Sequence, residues 1–210
     1  MNSNRLSFLA AIPVAREVIA RPAVAEAWDR PSALRKFTVG GLAGHLARSV
    51  ITVRTYLEAP PPAGAPLITA AAYYLPIPAG GDLDSELNAA VRRRGEAEAA
   101  GGQSALLGHF DAAAAWLAEG LLLEPAGRAL RAFGDTAILI DEYLATRLVE
   151  LALHVDDLCA SLDADTPAIP GIDIAIHTLL GVARARHGDL AVLRALGRRE
   201  RDPGQALRVF

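Results

Sequence analysis

Aliphatic residues recur at helical spacing through most of this chain. The clearest case lies at about 137 to 162, where Leu144, Leu148, Leu151, Val155, Leu158 and Leu162 form one stripe of a helix. The stripe beside it is wholly polar: Tyr143, Arg147, Glu150, His154, Asp157 and Ser161. Most other positions are again apolar, and a helix apolar on most sides belongs in an interior. A polar stripe there calls for partners, because unpaired buried polar groups are costly. A helix over roughly 39 to 58, with Thr38 as its N-cap, repeats the pattern. Val39, Leu42, Leu46, Val50, Val53 and Leu57 are its aliphatic stripe, and Gly41, His45, Ser49, Thr52 and Tyr56 run alongside. Two such helices can turn their polar stripes together and line a cavity inside a helical bundle, where such folds place metals and cofactors.

The remaining pattern fills in the bundle. Residues 5 to 28 predict a first helix kinked at Pro13 and Pro22. Pro60 to Pro62 stop the helix that begins near 39, and 59 to 83, rich in Pro, Gly and Ala, suits a crossover loop. A third helix is expected over about 84 to 100. Gly101 and Gly102 break it, and another helix is expected over 104 to 122. Residues 128 to 135 could be extended. Helices over 172 to 187 and 189 to 198 follow Pro167 and Pro170. The pentapeptides ALRAF at 129 to 133 and ALRVF at 206 to 210 echo each other, and both could be short strands. This predicts an all-α four-helix bundle over 1 to 165 and a C-terminal helical extension packed on it over 166 to 210, with two short strands as an option.

Length and composition narrow the class. The chain has 210 residues, 52% of them hydrophobic, enough for one substantial core. A net charge of -3, with no basic run longer than Arg92 to Arg94, argues against nucleic acid as a partner. The apolar stretch from Ala137 to Leu153 is interrupted by Asp141, Glu142, Arg147 and Glu150, which reads as a buried helix rather than a membrane span. Cys159 is the only cysteine, so no disulfide closes within the chain. The first twelve residues show no signal-peptide pattern. Together these features predict a cytoplasmic protein without a membrane partner.

The candidate chemistry sits on the two polar stripes. Glu150 and His154 are one helical turn apart and share a face. With His45 they offer two imidazoles and a carboxylate, the donor set of an open, catalytic zinc-type site. A hydrogen-bonded core histidine and a solvated Glu-His pair would give the same pattern. Asp157 could orient an imidazole, and Arg147 could hold Glu150 or an anionic substrate. Cys159 points off the stripe. His109, His177 and His187 fit no motif. Tyr73 and Tyr74 could cover the pocket or anchor the crossover.

The segments TVGGLAGHLARS at 38 to 49 and YLATRLVELALHVDDL at 143 to 158 resemble the mycothiol-dependent maleylpyruvate isomerase N-terminal domain, one of the DinB-like metal-binding four-helix bundles. The resemblance covers about 5 to 165 and implies His45, Glu150 and His154 as ligands of zinc or another divalent metal. It implies a low-molecular-weight thiol such as mycothiol as co-substrate. The expected enzyme is then a thiol S-transferase or cis-trans isomerase acting on a small electrophile. Arg147 and Asp157 are its candidate catalytic residues, and Ser49, Thr52 and Tyr56 would line the thiol's side. The founding isomerase has a larger C-terminal domain than this chain, and its substrate-binding arginine has no residue-by-residue match here, Arg92, Arg93 and Arg94 lying only in a suitable region, so the substrate is left open. A metallohydrolase using activated water and a non-catalytic metal- or ligand-binding bundle remain as alternatives. A homodimer is compatible with the sequence but not specified by it.

Overall fold

The structure, a computed structural model, describes residues 3–77, 83–200 and 202–209. Residues 78–82 of the expected crossover and Phe210 of the echoed pentapeptide lie outside them. The first helical stretch divides into Ser3–Ile19 (α1) and Pro22–Glu26 (α2). Pro13 lies inside α1 without ending it, whereas Pro22 opens α2, where its missing N–H would have had no partner anyway. Val39–Glu58 (α3) has the expected bounds, and Thr38 Oγ1 accepts from the Gly41 N–H at 3.0 Å. Within the crossover lie a short strand, Leu67–Ile68 (β1), and a short helix, Ala70–Tyr74 (α4). Glu86–Ala99 (α5) and Gly102–Gly120 (α6) follow.

Ala129–Arg131 (β2) is extended as expected, but its partner is not residues 206 to 210. It pairs antiparallel with Ala137–Leu139 (β3), Leu130 facing Ile138, and β1 joins β3 in parallel on the other side. The helix expected from 137 therefore starts as a strand and becomes helical only at Ile140–Ala160 (α7). The chain near 206 is helical instead, Gly204–Leu207 (α10), after Ile172–His187 (α8) and Asp189–Gly197 (α9).

Helices α1, α3, α6 and α7 pack on one another as a four-helix bundle, with α5 laid along the outer side of α3 and α8 along α7. The chain is thus an all-α bundle with a C-terminal helical extension. The two aliphatic stripes are its core: Val39, Leu42, Leu46, Val50 and Val53 on α3, and Leu144, Leu148, Leu151, Val155 and Leu158 on α7, are all buried. They meet Phe8, Ile12 and Val18 of α1 and Leu106, Phe110 and Leu117 of α6. Gly102–Leu123 is long and apolar enough to cross a membrane by length and composition; Leu106, Phe110, Ala113 and Leu117 of that stretch are buried in the bundle. A buried ion pair ties α1 to α7. Arg5 Nε lies 2.7 Å from Asp141 Oδ1, and the same guanidinium donates to the carbonyls of Leu121 and Glu124.

Glycine sets the approach of α5. A Cβ on Gly44 would stand 2.2 Å from the Gly95 carbonyl oxygen, so the two backbones touch where no side chain fits. His45, the next residue, is placed by this contact.

Candidate metal centre

His45 comes from the middle of α3, Glu150 and His154 from successive turns of α7. The bundle faces these two helices toward each other, because their buried aliphatic stripes share one core and their polar stripes lie beside it. His154 Nε2 is 3.2 Å from Glu150 Oε2, and His45 Nε2 is 3.7 Å from the same oxygen. The imidazole rings meet edge to face with centroids 4.5 Å apart. One donor atom from each of the three residues lies within 4.8 Å of the others. Among the described residues this is the sole group of three or more His, Cys, Asp or Glu side chains gathered so closely.

The arrangement fits a metal ion. Tetrahedral ligands about 2.1 Å from an ion stand roughly 3.4 Å from each other, close to the spacings about Glu150 Oε2. His45 makes no hydrogen bond, and its Nδ1 is buried without a partner. His45 Nε2, 3.7 Å from Glu150 Oε2, is beyond hydrogen-bond reach of it, and coordination would give that nitrogen a partner. The three side chains keep 18, 18 and 12% of their surface for His45, Glu150 and His154, so the group can be reached from solvent.

Burial and the neighbouring groups separate the two imidazoles. Burial, then the proximity of His154, depresses His45 to about 3. Burial also opposes charge on His154, but its hydrogen bonds to Asp157 and Glu150 outweigh that and lift it to about 9. Asp157 Oδ2 lies 3.0 Å from His154 Nδ1. Burial works against the Glu150 carboxylate, yet the His154 bond and the charges of Arg147 and both histidines hold it far below the usual carboxylate range.

The rest of the polar stripes assembles around this group. Arg147 does not pair with Glu150. Its guanidinium lies 4.7 Å from the centre of the Tyr143 ring and 5.5 Å from that of Tyr73, with no carboxylate in ion-pair contact among the described residues. Thr52 Oγ1 is 3.2 Å from the Tyr143 hydroxyl, and the Tyr56 and Tyr143 rings stack at 5.4 Å. Ser49 is buried on the same face of α3. Arg92 donates to the Leu83 carbonyl and Arg93 to Glu86. Cys159 is buried, with Sγ 3.3 Å from Arg21 Nη1. His109 pairs with Glu98 at the surface.

The model of the mycothiol maleylpyruvate isomerase N-terminal domain matches residues 11–159. The chain belongs to that family. The matched span runs from α1 to the last turn of α7 and contains His45, Glu150 and His154. No curated protein and no solved structure matches the chain. The family description carries a maleylpyruvate isomerase-like activity and a link to mycothiol at a coarse level, and the cluster is a possible site for a metal.

Two residues at the site make contacts with the cluster that the sequence did not suggest. Phe37 packs on the His45 ring at 5.6 Å and also lines a surface cavity of about 690 Å³ with Arg35, Lys36 and Thr38. Tyr74, considered only as a cover or an anchor, reaches Glu150: its hydroxyl donates to Oε1 at 2.9 Å and lies 2.9 Å from the Thr146 carbonyl. Nothing in local sequence links positions 76 residues apart.

Proposed function

We propose that this chain is an enzyme that binds a divalent metal, zinc by its donor set, through His45, Glu150 and His154. It would use a low-molecular-weight thiol such as mycothiol to transfer to, or isomerise, a small electrophile. The observation that carries this reading is the convergence of two imidazoles and a carboxylate on one point within reach of solvent. Held there, the metal would keep one coordination position open and lower the pKa of a thiol entering it.

The protein's own groups would do the rest. Asp157 holds the Nδ1–H of His154, which leaves Nε2 as the donor facing the cluster. Arg147, spread over Tyr73 and Tyr143 and donating to the Thr146 hydroxyl, has no carboxylate partner among the described residues and would meet an anionic group on a substrate. Ser49, Thr52 and Tyr56 would meet the polar part of the thiol. Cys159 is buried beside Arg21, so the nucleophilic sulfur would come from outside the chain. The partners in this reading are small molecules rather than nucleic acid or membrane, and the compartment is the cytoplasm. A hydrolase would need a free base at the site, and Asp157, the nearest candidate, is engaged by His154.

Protein purified without chelator should carry about one equivalent of metal. After replacement by cobalt, mycothiol should add a sulfur-to-metal charge-transfer band that Cys159→Ala retains. No uptake of zinc, nickel or cobalt would end this proposal. Uptake with a spectrum unmoved by millimolar thiol would redirect it to hydrolysis or to binding without catalysis.

A further inference from the structure

The family match ends at residue 159, and α8 begins at Ile172. The extension nonetheless makes two kinds of contact with Tyr74. The first is packing. Tyr74 is buried in a small core apart from that of the bundle, made with Val149 of α7 and with Ala175, Val182, Ala183, Val192 and Val209 of the extension. The second is a polar tie. Arg186 Nη2, from the last turn of α8, donates to the Tyr74 carbonyl at 2.9 Å and also to that of Ile77. The Tyr74 carbonyl ends α4 and already accepts from the Ile77 N–H at 3.0 Å, so the guanidinium braces the turn that follows the helix. Arg186 Nε is buried without a partner. The chain accepts that cost where the guanidinium holds α4 in place.

The far side of Tyr74 is its hydroxyl on Glu150 Oε1. Glu150 has two equivalent oxygens and three rotatable side-chain bonds. With Oε1 engaged by Tyr74, Oε2 faces the two imidazoles. We propose that Arg186 and Tyr74 form a strut through which the C-terminal extension fixes the rotamer of Glu150 and presents one oxygen to the metal, an inference that rests on reading the cluster as a metal centre. Tyr74 and Arg186 are positioning residues here. The extension, which the family match leaves out, thereby becomes part of the site.

The test uses the full-length chain loaded with cobalt, read as affinity by chelator competition, as the visible ligand-field band and as melting temperature. Tyr74→Phe should weaken cobalt binding about tenfold to a hundredfold. It should also reduce the intensity of the ligand-field band, as the released carboxylate chelates through both oxygens and the coordination number rises. Arg186→Met should shift affinity and band in the same directions, and should add little in a Tyr74→Phe background, because it acts through the same hydroxyl. Arg186→Lys, which keeps one donor, should recover part of the loss; if Arg186→Met does not fold, Arg186→Lys and Tyr74→Phe carry the cycle. Variants that melt earlier but bind cobalt with wild-type affinity and band would show the contacts to be structural only. Additive losses would sever Arg186 from Glu150. In both cases the metal reading stands. A wild-type chain that takes up no cobalt overturns that reading and the strut with it.

Discussion

Loading the site should expel one proton over an unusually wide pH range. With His45 near 3 and His154 near 9, the pair carries a single proton across the whole interval between, and it sits on His154. Glu150 is ionised throughout and contributes none. Coordination needs Nε2 of His154 bare, so metal and proton compete for one nitrogen. Below about pH 9 the association constant should rise tenfold per pH unit, and at pH 7 the competition should weaken binding about a hundredfold, or ~3 kcal/mol. Two ordinary imidazoles titrating near 6.5 would behave differently: a slope approaching two below about pH 5.5 and no slope above about pH 7.5. Nickel titrated calorimetrically into metal-free protein between about pH 5 and 8, in two buffers of different ionisation enthalpy, gives both affinity and proton count. The expected result is a slope of one and one proton released at every pH. A flat affinity above about pH 7.5, or two protons released near pH 5, would refute the assignment of the proton to His154. The same shifts give the metal-free fold a stability maximum near 6.5. As pH falls below that value, His45 resists a proton that the unfolded chain accepts. As it rises through about 9, His154 loses the proton that its two carboxylate partners stabilise.

His45→Ala, Glu150→Ala and His154→Ala should each abolish tight metal binding while leaving a cooperative thermal transition, since the buried aliphatic stripes hold the bundle together; cooperative unfolding at room temperature would mean a structural metal. Gly44→Ala should force α3 and α5 apart, because its Cβ would lie 2.2 Å from the Gly95 oxygen, and lower stability by about 1–3 kcal/mol in chemical denaturation along with weaker metal uptake. Arg5→Met should cost about 3–5 kcal/mol by leaving Asp141 and two carbonyls unpaired, with metal affinity unchanged in chelator competition.

What could be read in advance was what repeats locally. Thr38 before a run of period 3.6 and prolines after it placed both ends of α3, and the spacing of Glu150 and His154 put two donors on one face. The contribution of His45 followed because two polar stripes needed each other. Ala137, Ile138 and Leu139 were misplaced for a physical reason: a three-residue apolar run at the edge of an apolar helix has no period of its own, and only pairing with Ala129–Arg131 and Leu67–Ile68 makes it a strand. The ties of Tyr74 to Glu150 and of Arg186 to Tyr74 were not legible. Their contacts depend on how the crossover and the extension fold back over α7. Their residue types alone, a tyrosine in a Pro-rich loop and one arginine among many, say nothing of where they go.

The burial of Cys159 gives the chain immunity to the reagents its proposed chemistry would handle. An electrophile that alkylates thiols would find no thiol at the surface, and a buried cysteine held beside Arg21 cannot compete with an incoming thiol. The same feature makes the molecule its own unfolding probe. Cys159 lies in the last turn of α7, packed in the bundle core, so a thiol-labelling reagent reaches it only when that end of the helix opens. The labelling rate, followed with and without metal, would report the opening free energy of the helix that carries Glu150 and His154 directly, with no denaturant and no engineered label.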